Sequence, residues 1–576
     1  MCKSFKVLLI GLFLGLNIQL LYVIQQKFKA PRELNVSISA NVENLDPAVS
    51  NSDHAMTLMS KVYEGLLEYH YLKRPYELIP NLAVGMPTVS EDGRTYTFLI
   101  QKGIYFHNNP CFPNGKGREL VAEDVVYSFK RIADPAIQSP YFEELQELIH
   151  GFAAFHQHLT QHPGAYDAGI PGIRALDRYT VQFTLTKQFP LFLHYMASSY
   201  ASIVPKEAVD HYGTNFMNHP VGTGPFTLDA FVPQATEVVF FKNPTFRAKY
   251  YPTEASPGFQ YLLGSAGKKL PLIDKLVCHI LTEAQHRFLQ FKRGKLDVLE
   301  VESAYLPQIY EQGKFSSKLQ RAGIQLLEAP RISFTGFYFN CGRKPLNDQR
   351  VRQAISLAFD RKTYNKFFES NLGTIAHSFI PSLLKGYDKN FYSPYTRYDL
   401  GRARQLLAEA GYPQGKGLPV LKLHTTAYTT RKSQAEFFAK CMAQIGMKIE
   451  LEVLPFPELL QKFNRGECMV TFISWSPEVP DVGRIFKNFR YRNCCPSIAL
   501  NDAPFNRWYD RAVFLPDDVP EKTALYEKLN EQIAELVAVI PIPLSNHQFL
   551  VQKRIKNYCI SPYHYCKELY VDVEGA

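Results

Sequence analysis

Only two tryptophans occur in 576 residues, no cysteine pair has C-x-x-C spacing, and no run of lysine and arginine forms a basic tract. Each absence removes a class of function. Without C-x-x-C spacing there is neither a thioredoxin-type redox pair nor a zinc-ribbon ligand set. The ten cysteines are Cys2, Cys111, Cys278, Cys341, Cys441, Cys468, Cys494, Cys495, Cys559 and Cys566. Setting Cys2 aside leaves nine, an odd number, so at least one thiol stays outside intramolecular pairing. Cys494 and Cys495 are adjacent, poor geometry for a disulfide, whereas Cys559 and Cys566 can pair if the chain turns between them. No G-x-S-x-G elbow, H-E-x-x-H zinc pair or dinucleotide glycine fingerprint is found. The Gly222-Thr223-Gly224 run lacks the Lys-Ser or Lys-Thr of a phosphate loop. Enzyme classes that announce themselves by these motifs are therefore not indicated, and no cofactor or metal is implied.

The formal charge is +10, yet the 64 basic residues are dispersed, which excludes a phosphate-binding track and hence nucleic acid as a partner. A dispersed basic surface suits anionic lipid or cell envelope instead. His158 and His162 have the i, i+4 spacing of a helical metal pair, but no acidic or cysteine partner stands at motif spacing, so a solvated helix or insertion is expected there.

What is present begins with Lys3 and Lys6 before an apolar run, 7–24, broken only by Gly11, Gly15, Asn17 and Gln19. Eighteen helical residues span about 27 Å, just enough to cross a bilayer core. A basic start and an apolar middle is the pattern of a secretory signal. Phe28 and Pro31 around Ala30 spoil the small-x-small cleavage site. Export is the reading, with an uncleaved membrane anchor favoured over a cleaved signal peptide.

A chain this long is expected to split into two or three lobes. Leu34, Val36, Ile38 and Ala40 alternate with polar residues as a strand, and 56–67 reads as a helix. Tyr96, Phe98 and Ile100 follow the Asp92-Gly93 turn as another strand, and a helix begins near Ala122. Val181, Phe183 and Leu185 alternate again, and Val238 to Phe241 marks a further strand. Phe334 to Asn340 reads as a buried strand. Asn347 or Asp348 caps the next helix, and Asp399 caps one stopped by Gly411. Strands at Leu421 and at Ile449–Leu451–Val453 flank a helix over 433–445, an α/β unit. A strand over 470–473 ends in Ser474-Trp475-Ser476.

Several of these segments carry recognisable wording in order: Leu45-Asp46-Pro47 with Tyr63-Glu64-Gly65-Leu66; the cassette from Pro80-Asn81-Leu82-Ala83 to Ala122-Glu123-Asp124-Val125; Pro220-Val221-Gly222-Thr223-Gly224-Pro225-Phe226; and Asn347-Asp348 with Arg350-Val351-Arg352. Over about 34–558 the chain resembles the family 5 extracytoplasmic solute-binding proteins, the oligopeptide- and dipeptide-binding components of ABC importers. The resemblance implies an α/β, two-lobed periplasmic-binding-protein (Venus-flytrap) fold with an extra domain, mixed sheets flanked by helices, after the N-terminal hydrophobic helix. The expected division is 1–30 leader or anchor, 31–71 and 200–300 first lobe, 72–199 extra domain, 301–544 second lobe and 545–576 a C-terminal return to the first lobe. It implies no catalysis, capture of a peptide outside the cytoplasmic membrane, delivery to an ABC permease, and a monomer. Alternatives are a non-peptide solute (metal complex, sugar or opine), an envelope hydrolase, or an anchored peptide receptor uncoupled from transport.

In peptide-binding members a Trp is followed three residues later by an Asp that grips the ligand's α-ammonium. The matching residues here are Trp475 and Glu478, with Asp481 resembling the second acidic residue of that loop. Glu in place of Asp moves the charge by roughly a bond length. Ser474 and Ser476 are expected to offer backbone groups to an extended peptide. Any of the basic residues could meet a ligand carboxylate.

Overall fold

The computed structural model describes residues 31–574 apart from 428, 478, 491–495, 517–518, 562 and 564–565. The apolar run 7–24, Glu478, Cys494 and Cys495 lie outside the described residues. Among the described residues no helix is long and apolar enough to cross a membrane.

The first lobe is built on Glu33–Ile38, which runs parallel to Lys275–Ile280; Glu237–Lys242 and Phe226–Thr227 extend the sheet antiparallel. Leu34 and Ile38 are buried as their alternation requires. The expected helix over 56–67 is shorter: it spans Asp53–Met59, started by Ser52, whose side chain accepts from Ala55 N–H at 3.2 Å. It stops because the next carbonyls are engaged elsewhere. Lys61 O accepts from Phe226 N–H at 3.1 Å and Val62 O from Gly224 N–H at 2.8 Å. Leu67–Tyr69 is then a strand, paired with Leu78–Pro80.

The extra domain has a four-stranded antiparallel sheet in the order Thr88–Val89, Thr95–Leu99, Thr180–Thr184, Ile173–Asp177. Helix Ala122–Ala133 lies on it, with Phe129 against Phe183 at 5.1 Å between ring centroids. The stretch around His156, His158 and His162 contains helix Phe152–Gln161, anchored by Phe152, Phe155 and Leu159. No group of three potential metal ligands exists among the described residues.

The second lobe carries a five-stranded mixed sheet, Ile449–Leu454, Leu421–Thr426, Val470–Trp475, Phe334–Phe339, Val539–Pro541. Every residue of Phe334–Phe339 is buried, as a continuous apolar strand covered on both faces must be. Phe337 stacks on Phe438 at 4.0 Å and on Phe472 at 4.3 Å, tying strand, helix Thr429–Ala443 and neighbouring strand together. Asp348 and Asp399 cap helices Gln349–Ala358 and Leu400–Glu409 through Arg350 and Arg402 N–H at 2.9 Å.

Between the lobes lies a sheet of Val298–Glu300, His547–Val551 and Gln325–Ala329. The chain therefore passes from this sheet into the second-lobe sheet at 330–333 and returns at 542–546. These two crossings lie side by side, Ile542 N–H donating to Thr335 O at 3.1 Å. Cys111, Cys278, Cys341, Cys441, Cys468, Cys559 and Cys566 are all free thiols, so Cys559 and Cys566 are not joined.

Candidate functional site

A cavity of about 570 Å³ opens where the crossings meet the two lobes. First-lobe residues from Glu33–Ile38, from Asp53–Met59 and from the C-terminal return form one side; the ends of Phe334–Phe339 and Val470–Trp475, with the start of helix Thr429–Ala443, form the other. Its size lies within the roughly 300–1,000 Å³ usual for small-ligand sites.

Ser474 and Ser476 line this cavity. Ser474 sits where strand pairing ends. Its Oγ lies 2.5 Å from Thr335 Oγ1 on the neighbouring strand and accepts from Arg431 Nη2 at 2.7 Å. Arg431 also rests over the Phe472 ring at 4.8 Å, which holds the guanidinium on the cavity wall. Sequence reasoning left the basic anchor open. The signal for Arg431 was positional: it follows Leu421–Thr426 at the start of the next helix, and ligands in open α/β sheets collect beyond the carboxyl ends of parallel strands.

Trp475 alternates away from the cavity. Its ring packs 5.8 Å from Phe463, and its Nε1 is buried with no hydrogen-bond partner among the described residues. Asp481 is buried too, off the cavity wall. Its Oδ1 accepts from Gly483 N–H at 2.6 Å and from Tyr526 OH at 2.9 Å, and Oδ2 stands 3.3 Å from Lys522 Nζ. It thus fixes the turn into helix Gly483–Phe486. Gly483 leaves room for this arrangement, since a Cβ would sit 2.6 Å from Asp481 Oδ1 and 2.8 Å from Tyr526 OH and would displace those side-chain ends.

The opposite wall is acidic and basic at once. Glu300, half exposed to the cavity, has its Oε1 2.7 Å from His547 Nδ1. Burial pushes the Glu300 carboxyl up, but the His547 hydrogen bond and the charges of Arg331 and Lys567 outweigh it and hold it at about 2. Glu302 behaves oppositely: burial raises it against the pull of Arg287, with Glu300 adding to the rise. Arg331, on the first crossing, is pinned by Nε donating to Ser545 O at 2.8 Å. Glu369 ties the second crossing down, accepting from Ser545 N–H at 3.1 Å and Oγ at 2.7 Å.

Such a cavity offers the ionised carboxylate of Glu300 and, among its basic groups, the guanidinium groups of Arg331 and Arg431, with strand-end backbone between them. It suits a ligand with charges of both signs and an extended polar backbone.

Comparison with known proteins agrees. The family model described as bacterial extracellular solute-binding proteins, family 5 Middle, matches residues 77–494. The dipeptide-binding protein of Escherichia coli (strain K12) is 27% identical over 508 residues, covering 84% of this chain and 84% of that protein. Heme-binding protein A of Haemophilus influenzae is 26% identical over 532 residues, 89% and 87% of the two chains. An ABC transporter-associated periplasmic binding protein from Helicobacter pylori, solved in complex with the peptide STSA, shares the fold with a TM-score of 0.76 at 23% identity, over 96% of this chain and 100% of that one.

Proposed function

This chain belongs to the bacterial extracellular solute-binding proteins of family 5, and from that premise we propose that it captures short peptides outside the cytoplasmic membrane and hands them to an ABC import permease. The observation that carries this reading is the interlobe cavity, where Glu300, Arg331 and Arg431 put both signs of charge around the half-buried end of strand Val470–Trp475. A short peptide is zwitterionic and presents its backbone, so it matches that wall group for group. The dipeptide-binding relative from E. coli supports the same ligand class.

The roles divide as follows. Burying an ammonium costs several kcal/mol of hydration that an opposed carboxylate must offset, and Glu478 supplies it. Ser474 and Ser476 pair with the peptide backbone as an added strand, a mode indifferent to side chains. Trp475 stiffens the apolar support beneath them, and Asp481 holds the loop through Lys522 and Tyr526. Arg431 receives the carboxylate. Closure of the lobes about the crossings 330–333 and 542–546 shuts the ligand in, and the closed form engages the permease. The protein works as a monomer, does no chemistry on its solute, and is exported behind the apolar N-terminal run, which serves as a signal peptide or stays as the anchor. A non-peptide solute is the second reading, favoured by the heme-binding relative of nearly equal identity.

Native mass spectrometry of the protein as purified, without refolding, tests this. A ladder of peptide-mass adducts supports peptide capture. A single non-peptide adduct moves the ligand class. A bare protein that gains no stability from peptide mixtures rejects peptide capture, because ligand at a hundred times Kd adds about 2.7 kcal/mol.

A further inference from the structure

Strand pairing sets Thr335 opposite Ser474 and Phe337 opposite Phe472. Side chains two apart on a strand share a face, so these four residues make two layers, one aromatic and one bearing hydroxyls. Helix Thr429–Ala443 lies across both. Phe438 completes the aromatic layer, stacking on Phe337 at 4.0 Å. One turn earlier stands Gln434, which lines the interlobe cavity with Thr430 and Arg431. Positions three and four apart share a helix face, so these three residues face the cavity together. Gln434 therefore belongs to the hydroxyl layer, where Arg431 donates to Ser474 Oγ at 2.7 Å. Gln434 is only 5% exposed, yet its side-chain amide makes no hydrogen bond among the described residues. Unlike Trp475 Nε1, neither of its polar atoms is fully enclosed, so both are open to a ligand. An amide carries two donor hydrogens and an acceptor oxygen, and burying it unbonded is unfavourable.

We propose that Gln434 is a specificity-determining residue that hydrogen-bonds the ligand's last peptide group, next to the carboxylate that Arg431 receives. This rests on the peptide reading above and deepens it. Cβ atoms three apart on a helix stand about 5–6 Å from each other, and an extended peptide advances about 3.3 Å per residue. With the carboxylate at Arg431, the group that meets Gln434 thus lies within one or two residues of the ligand's end. A peptide group there presents a carbonyl to the Gln434 Nε2 donors and an N–H to its Oε1. Such pairing reads backbone alone, so it tolerates any side chain on the ligand.

Calorimetric titration of the full chain with Ala-Ala-Ala and with the depsipeptide Ala-Ala-lactate, whose ester oxygen replaces the last N–H, provides the test. Ala-Ala-Ala is expected to bind about tenfold more tightly, because the ester leaves an enclosed amide unbonded. Gln434→Leu and the unbranched Gln434→Met are each expected to weaken Ala-Ala-Ala about tenfold and to bring the ratio of the two affinities close to one. Thermal unfolding without ligand separates recognition from packing. The Gln434 amide makes no bond that either substitution could break, so neither variant lowers Tm. Equal affinities in the native protein overturn the assignment while leaving peptide capture intact, as does a ratio that survives both substitutions. A Tm lowered in both variants assigns Gln434 to packing and overturns it too. Failure of the native protein to bind either ligand overturns the peptide reading and the role of Gln434 with it.

Discussion

Glu144 and Arg484 join the extra domain to the second lobe. Arg484 Nη2 donates to Glu144 Oε2 at 3.2 Å, while Arg484 Nη1 reaches Tyr195 OH at 2.9 Å; Tyr195 in turn donates to Glu144, and Lys487 Nζ stands 3.6 Å from Glu144. Glu144 lies on helix Phe142–Leu148 and Arg484 on Gly483–Phe486, the turn that Asp481 fixes. The loop proposed to hold the ligand's amino end is therefore braced from two sides.

That brace is testable by acid. Burial pushes the Glu144 carboxyl up, but Arg484 and Lys487 bring it down to about 2. A depressed folded value makes the stabilisation complete above the unfolded carboxyl value of about 4.3 and removes it as pH falls toward the folded value. Glu144→Gln is expected to cost about 1–3 kcal/mol at pH 7, because removing one partner leaves the Arg484 charge part-buried. In urea unfolding followed at pH 7, 4 and 2.5, the gap between the two proteins narrows with acid. A constant gap rejects the ion pair as its source.

Lys61 and Glu568 form a more enclosed pair, their side chains 1% and 4% exposed. Burial opposes the charged form of each, yet each partner restores it: Lys61 is raised and Glu568 lowered. The Glu568 contribution is present above about pH 4.3 and lost in acid; the Lys61 contribution is present below about pH 10.4 and lost in base. Lys61→Ala is expected to destabilise by about 3–5 kcal/mol, since it strands a buried carboxylate. Lys61→Met combined with Glu568→Leu recovers most of that loss in denaturant unfolding. If the double variant is no better than the single one, packing rather than charge explains the site.

Gly222 is irreplaceable on steric grounds. A Cβ there would lie 2.1 Å from Val62 O and 2.9 Å from Val62 C, both backbone. Gly222→Ala is expected to lose about 2–3 kcal/mol by overpacking, read as a lowered Tm. An unshifted Tm contradicts the close approach.

Beside the same turn, burial keeps His107 neutral. His107 N–H donates to Gly222 O at 2.8 Å and its Nε2–H to Gly224 O at 2.9 Å. Burial lowers its pKa to about 4, against smaller opposing effects of Gly224 O and Glu64. With the folded value below the unfolded 6.5, stability is full above pH 6.5 and declines as pH falls toward 4, by up to about 3 kcal/mol. Unfolding at pH 7 and pH 4.5 should show this slope in the native protein and its reduction in His107→Gln. Parallel slopes exclude His107 as the titrating group.

For the proposed ligand contacts, Glu478→Gln and Arg431→Ala are each expected to weaken a bound peptide by about 10–100-fold, with Arg431→Lys intermediate because Lys lacks the planar fork. Titration with a peptide carrying an acetylated amino end and one with an amidated carboxyl end assigns the two. The Glu478 variant should lose its effect on the first and the Arg431 variant on the second; the reverse pattern exchanges their roles.

Much of this protein was readable along the chain because the information is local. Alternation disclosed Thr95–Leu99 and Thr180–Thr184, and a continuous apolar run disclosed Phe334–Phe339. Asp348 and Asp399 marked helix starts because a cap acts over two or three residues. The order of these elements, with the separated motifs, was enough to identify the family.

Only the tertiary structure decided what distant segments do to each other. The helix expected over 56–67 ends at Met59 because Val62 O is taken by Gly224, more than 150 residues away. Arg431 stands out among 64 basic residues only once Thr335, Phe472 and Ser474 surround it. Trp475, between the two serines on the cavity, and Asp481, five residues after Ser476, turn instead to Phe463 and to Lys522. Caps and periodicity are settled within one or two turns of chain, but a binding wall is settled by which residues close approach brings together, and that depends on the packing of the whole fold.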